Sequence, residues 1–142
     1  MQPYPYTQKA QEAMAQAQSL AREYRHSQIE PSHLLLALIE QHDGVVPHIL
    51  TKLEANPSNL ARSLRNTLDD LPQVHGSAQL TLSRMLNQTL QEGERTANRM
   101  RDDYVSTEHL LLALTSLQDG QIQRFLAAHG ITTDAILRVL TT

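Results

Sequence analysis

Cysteine is absent from this sequence, which excludes a disulfide framework, a thiolate metal site and a cysteine nucleophile. Tryptophan is absent as well and phenylalanine occurs once, so a core has to be assembled from Leu, Ala, Ile and Met. Such small or unbranched side chains suit closely packed helices better than sheets. Only two lysines occur, Lys9 and Lys52, and neither follows a glycine-rich loop. No Walker-type phosphate cradle can be built from them, so the chain by itself should not hydrolyse nucleotide. No serine stands in a Gly-x-Ser-x-Gly elbow. Positive charge is not in excess: the net charge is −3 and the pI about 6.1, which gives no electrostatic case for nucleic acid or an anionic membrane as partner. No apolar run approaches membrane-spanning length, and Met1 to Tyr6 show neither the basic nor the apolar part of a signal peptide. What these absences leave is a soluble, cytoplasmic, all-helical domain that is not an enzyme. A chain of 142 residues suffices for one such domain, burying roughly 70% of the surface that its unfolded form exposes.

What is present is a repeat. His33-Leu34-Leu35-Leu36-Ala37-Leu38 returns letter for letter as His109-Leu110-Leu111-Leu112-Ala113-Leu114, 76 residues further on. The register extends well beyond the hexamer. Shifted by the same interval, Leu86, Thr89, Leu90, Gly93, Ala97 and Met100 fall on Ala10, Ala13, Met14, Ala17, Ala21 and Tyr24, and Val105 falls on Ile29. Asp119-Gly120 falls on Asp43-Gly44, Leu126 on Leu50, Arg138 on Arg62 and Leu140 on Leu64. The sequence therefore predicts two pseudo-symmetric four-helix units packed as one domain: repeat one over 7–70, a connector over 71–81 and repeat two over 82–142.

In chain order, residues 1–6 carry two prolines and are expected to be extended, with Thr7 capping the first helix. Ala10, Ala13, Met14, Ala17, Leu20, Ala21 and Tyr24 recur at three- and four-residue steps, one apolar stripe. Pro31 fits the first position of the second helix, which carries the hexamer, is apolar on most sides and should be the most buried element. Asp43-Gly44 is expected to close it. Val45, Val46, Ile49, Leu50 and Leu53 predict a short third helix with Pro47 in its first turn. Asn56-Pro57 should start a fourth, with Leu60, Leu64 and Leu68 on one face. Leu71 to Ser77 reads as a turn-rich connector. In the second half, Leu82, Met85, Leu86, Thr89, Leu90, Gly93, Ala97 and Met100 predict a long stripe, Ser106 caps the second hexamer helix, Gly130 terminates the next in a left-handed conformation, and Thr132 or Thr133 caps the last.

Seven histidines invite a metal, but no pair shows the His-Glu-x-x-His spacing of a zinc helix. His33 and His109 hold equivalent places near the start of the repeated helix, where a structural role is expected instead. Asp102-Asp103 beside Arg99 and Arg101 reads as a solvated charge cluster, and Glu108 is placed to meet the positive end of its helix. Two packed copies commonly leave a groove at the rim of their contact. One lined by Leu and Met with polar edges would suit an extended or unfolded peptide, because flexible apolar side chains repack around varied ligands.

The stretches Tyr6-Thr7-Gln-Lys-Ala10, Ile29-Glu-Pro-Ser-His-Leu-Leu-Leu-Ala-Leu38 and Tyr104-Val-Ser-Thr-Glu-His-Leu-Leu-Leu-Ala-Leu114 resemble the N-terminal domain of the Clp/Hsp100 AAA+ ATPases, which is built from two Clp repeats. The connector Leu71-Pro-Gln-Val-His-Gly76 and Leu82-Ser-Arg-Met-Leu86 are most similar to the ClpB branch, the disaggregases. The resemblance implies a domain that binds unfolded or aggregated polypeptide and delivers it to a hexameric AAA+ ring, alongside the DnaK system. ATP and magnesium would belong to AAA+ modules that this sequence lacks. It further implies Thr7, Asp102 and Glu108 as polar residues around a substrate groove, Leu90 and His109 as its walls, and Tyr104 and Val105 nearby. The paired Glu that resembles a phosphoarginine site in ClpC-like relatives is matched here by Glu108 but by Ser32 in the first repeat, so that function does not carry over. The alternative readings are an adaptor- or substrate-docking domain of a protease-coupled ClpC- or ClpA-type ATPase, or a stand-alone Clp-repeat protein.

Overall fold

The computed structural model describes residues 4–75, 79–117 and 120–141. Among these the chain forms eight α-helices: α1 (Gln8–Glu23), α2 (Pro31–Ile39), α3 (Val45–Lys52), α4 (Pro57–Asp69), α5 (Arg84–Arg99), α6 (Thr107–Ser116), α7 (Gln121–Ala128) and α8 (Thr133–Leu140). The duplication is reproduced almost residue for residue, since α5 is α1 moved on by 76 and α7 is α3 moved on by 76. Four of the helix starts are set locally by side chains that satisfy first-turn amides left without an intrahelical partner. Thr7 accepts from the Ala10 amide at 3.1 Å and its counterpart Ser83 from Leu86 at 3.0 Å; Asn56 accepts from Asn59 and its counterpart Thr132 from Ala135, both at 3.2 Å. Thr132 is thus the cap of α8, while Thr133 uses its hydroxyl to meet Thr115 at 2.8 Å. Ser83 is almost fully buried. Ser83→Ala should cost about 1 kcal/mol, read as a lower urea midpoint with unchanged slope.

Helix ends follow the repeat too. Arg25 and Arg101 occupy the same position and share a left-handed backbone, φ 58° and 59°. Gly130, at φ 76°, ends α7 as expected, and Glu54 takes up the same left-handed turn in repeat one at φ 61° without glycine's freedom. Two details depart from expectation. Gly44 does not close α2: that helix ends at Ile39 with Glu40 as its cap, Asp43 takes the left-handed turn at φ 55°, and Gly44 in extended conformation opens α3. The equivalent Asp119, and Gly76-Ser77 of the connector, lie outside the described residues.

Every side chain of α2 is buried, and α6 is buried from Thr107 through Thr115 except for half-buried Glu108. The two helices pack on each other at the centre, α1 covering one and α5 the other. Leu82 does not begin the helical stripe of the second half. It belongs to a two-residue strand β2 (Thr81–Leu82), which pairs in parallel with β1 (Gln28–Ile29), Ile29 opposite Leu82. The symmetry mate of this pairing is the bridge between Tyr6 and Val105. Ser83 N–H donates to Ile29 O at 3.0 Å, and Thr7 N–H to Val105 O at 2.9 Å. Each repeat therefore lends the segment before its first helix to the segment before the other repeat's second helix. These reciprocal bonds satisfy backbone groups that would otherwise be buried without partners, and they fix the two copies against each other.

Candidate functional site

The resemblance-based residues gather at the bridge on the α6 side. The Thr7 and Val105 backbones are joined as above, Val105 N–H donates to Pro5 O at 2.8 Å, and the Tyr4 hydroxyl donates to Asp102 O. His109 stands at the third position of α6, and its Nδ1 accepts the Ser106 backbone N–H at 2.9 Å. The ring's proton is therefore on Nε2, which donates to Asp102 Oδ2 at 2.7 Å. Asp102 thus spends a carboxylate oxygen on holding the start of α6. Glu108 is half-buried in the first turn of that helix and has no ion pair among the described residues. Tyr104 is the open aromatic of this face, 54% exposed. Val105 and His109 are sealed inside and offer no surface to a ligand. Leu90 sits half-buried on α5, packed against the core one turn before Gly93, where α5 comes close to Leu110 and Val105. Tyr6, the bridge's other member, has its hydroxyl pushed up to about 12 by burial and by the nearby Glu94 carboxylate.

Repeat one builds the same start differently. His33 Nδ1 accepts the Glu30 N–H at 2.8 Å, so Nε2–H donates to His26 Nδ1 at 2.8 Å, and His26 Nε2–H donates to Leu68 O at 3.1 Å. His26 is the counterpart of Asp102. Burial, helped by the neighbouring His26, lowers the His33 pKa to about 4. Both repeated histidines thus serve the helix start, and no group of three or more His, Asp or Glu that could hold a metal occurs among the described residues.

Apolar surface open to a ligand lies elsewhere. A groove of about 560 Å³ runs between α4 of repeat one and α7 of repeat two. Leu64 and Leu71 form one side, Leu114, Leu117, Ile122 and Phe125 the other, and Met85 lies at its edge. Glu30, Ser32, Thr67, Gln121 and Gln123 supply polar rims. None of the residues drawn from the resemblance lines it. Met85 and Leu117 are what open it to apolar ligands. Their counterparts are Lys9 and Gln41, which in repeat one form a polar clasp instead: Gln41 Nε2 donates to Lys9 O at 2.8 Å, and Lys9 Nζ to His42 O at 3.3 Å. Leu117, Ile122 and Phe125 do not stand out in the sequence by themselves. The available signal is the change from polar to apolar between copies, Lys9 to Met85 and Gln41 to Leu117.

Two repeats exchanging their leading segments, each with a buried Leu-rich second helix started by a histidine, define a double Clp-repeat domain. The family model described as Clp repeat (R) N-terminal domain matches residues 5–129, and the chain belongs to that family. It is similar to the chaperone protein ClpB of Bdellovibrio bacteriovorus, 35% identical over 136 residues, and to that of Bacillus anthracis, 35% identical over 140 residues. These alignments cover 95% and 96% of this chain but only 16% of each relative, so the chain corresponds to the N-terminal domain of ClpB/Hsp100 chaperones. The fold is also that of the Hsp104 N-terminal domain from Candida albicans, with a TM-score of 0.80, 23% identity, and coverage of 93% of this chain and 86% of that one. Among the described residues no helix is long and apolar enough to cross a membrane.

Proposed function

We propose that this chain is the substrate-binding domain of a ClpB-type chaperone. It takes up apolar segments of unfolded or aggregated polypeptide in the cytoplasm and passes them to an AAA+ ring, with the DnaK system acting on the same substrates. The observation that carries this reading is the α4–α7 groove, where Leu71, Met85, Leu117, Ile122 and Phe125 stay half-exposed over the buried Leu64 and Leu114. Flexible methionine at the edge and a mixed polar rim favour varied apolar sequences over one ligand. Binding of this kind is weak, and attachment to a ring makes weak binding sufficient by raising the local substrate concentration at the pore.

The test grafts the clasp of repeat one onto repeat two. Met85→Lys combined with Leu117→Gln should replace the groove's apolar edge with polar side chains while leaving the fold intact, because Lys9 and Gln41 already occupy those positions in the other copy. Titration with a permanently unfolded protein should then show affinity at least about tenfold weaker, the loss of one or two buried apolar contacts. Unchanged affinity, with amide shifts clustered at Leu90, Tyr104 and Glu108 instead, would move the site to the α6 face.

A further inference from the structure

The fold's pseudo-symmetry gives the α4–α7 groove a mate, between α3 of repeat one and α8 of repeat two. We propose that this second groove is a separate docking site for acidic, leucine-bearing polypeptide segments, chemically distinct from the first. Val45 and Ile49 on α3, with Leu53 just past its end, face Val139 and Leu140 on α8 across a depression of about 690 Å³. Val45 is 43% exposed, an apolar side chain with open surface at the groove mouth. The rim carries His48, Lys52 and Arg138, and no acidic residue lines it. Lys52 and Arg138 meet no carboxylate among the described residues, Arg138 reaching only the Asp134 backbone oxygen at 3.4 Å.

The charge decides the occupant. In a protein of net charge −3, two cations without a carboxylate partner among the described residues, gathered around one apolar depression, attract an anionic segment and repel a cationic one. The first groove has the opposite character, its one charged lining residue being Glu30. Each of α3 and α8 is eight residues long, about 12 Å, so the groove accommodates roughly two helical turns or four extended residues of a partner. The inference is independent of the first groove's proposed role, since the two share no residue.

The experiment titrates the whole chain with two synthetic 14-residue peptides having the same leucines, spaced i, i+3, i+4 and i+7, and glutamate or lysine elsewhere. The glutamate peptide should shift the amides of Val45, Lys52, Leu53 and Arg138, and its affinity should fall as salt rises from 0.05 to 0.5 M. The lysine peptide should leave these amides unmoved. Lys52→Glu with Arg138→Glu, both at exposed positions, should weaken the glutamate peptide about tenfold or more and admit the lysine peptide. The Met85→Lys/Leu117→Gln variant should bind the glutamate peptide like the parent. Equal binding of both peptides, absence of shifts at millimolar peptide, or shifts confined to Met85, Leu117 and Ile122 would each overturn the proposal.

Discussion

Leu110→Ala is expected to destabilise the domain by about 2–5 kcal/mol, a large share of the stability of a single domain. Leu110 lies in the central helix α6, has no exposed surface, and is held against α5 where that helix carries Gly93. A Cβ added at Gly93 would stand 3.1 Å from Leu110 Cδ2 and 3.6 Å from Val105 Cγ1, so the glycine exists to let α5 approach α6 and the exchanged segment beyond it. Two opposed effects then act on Gly93→Ala. Helix propensity favours alanine by about 1 kcal/mol, and crowding against Leu110 opposes it. In the Leu110→Ala background the crowding disappears, and the new methyl partly fills the space left by the leucine. Gly93→Ala should therefore be more favourable by about 1 kcal/mol or more in that background than in the parent, measured as the coupling energy of a double-mutant cycle in urea. Strict additivity would show that close approach to Leu110 is not what requires glycine at position 93.

The second large effect is on acid stability, and it arises in repeat one. The folded-state pKa of His33 is lowered to about 4, by burial first and by His26 second, against about 6.5 in the unfolded chain. Above pH 6.5 neither state binds the proton, and the full stability is present. Between 6.5 and 4 the unfolded chain binds a proton that the folded chain refuses, so stability falls as pH falls, with a slope approaching 1.4 kcal/mol per pH unit at most. Below about 4 both states are protonated and this contribution to the slope ends. The physical cause is visible in the bonds: His33 Nδ1 is committed as acceptor to Glu30 N–H and its Nε2–H to His26, which is in turn committed to Leu68 O. Around them Tyr24 stacks on His26 and holds Arg65, which is bound to Glu40. Among the described residues no carboxylate is hydrogen-bonded to either ring, so a proton added here is not neutralised. His33→Asn keeps an acceptor for the Glu30 amide and removes the titration. It should flatten the stability-versus-pH curve between 6.5 and 4 relative to the parent, whereas identical slopes in the two proteins would rule out His33 as the acid-sensitive group.

The contrast between the two repeats explains how far the sequence could be followed. The hexamer places His33 and His109 in equivalent positions and its repetition shows that they do the same local task, since a histidine three residues past a helix start can reach back only to nearby backbone. It does not show that the second ring nitrogen meets a histidine in one copy and Asp102 in the other. Those partners are seven residues away, across a turn whose left-handed Arg25 or Arg101 sets the geometry. Asp102 looked like solvated charge because its neighbours in sequence are charged. Its actual partner is a buried ring.

By itself the sequence determined what is encoded locally and periodically: the duplication, the helices, the caps at Thr7, Asn56 and Ser106, the burial of both Leu-rich helices and membership of the Clp-repeat fold. A stripe at three- and four-residue steps specifies a helix and its buried face whatever it packs against. Only the tertiary structure decided how the copies engage. Two-residue strands are too short to show any alternation, so the exchange of Ile29 with Leu82 and of Tyr6 with Val105 is invisible until both segments are placed side by side. The grooves are decided at the same step, because a groove is the apolar surface that remains uncovered after docking. Third helices facing the fourth helices of the opposite repeat leave Leu117, Ile122 and Phe125 open on one side and Val45 beside Lys52 and Arg138 on the other.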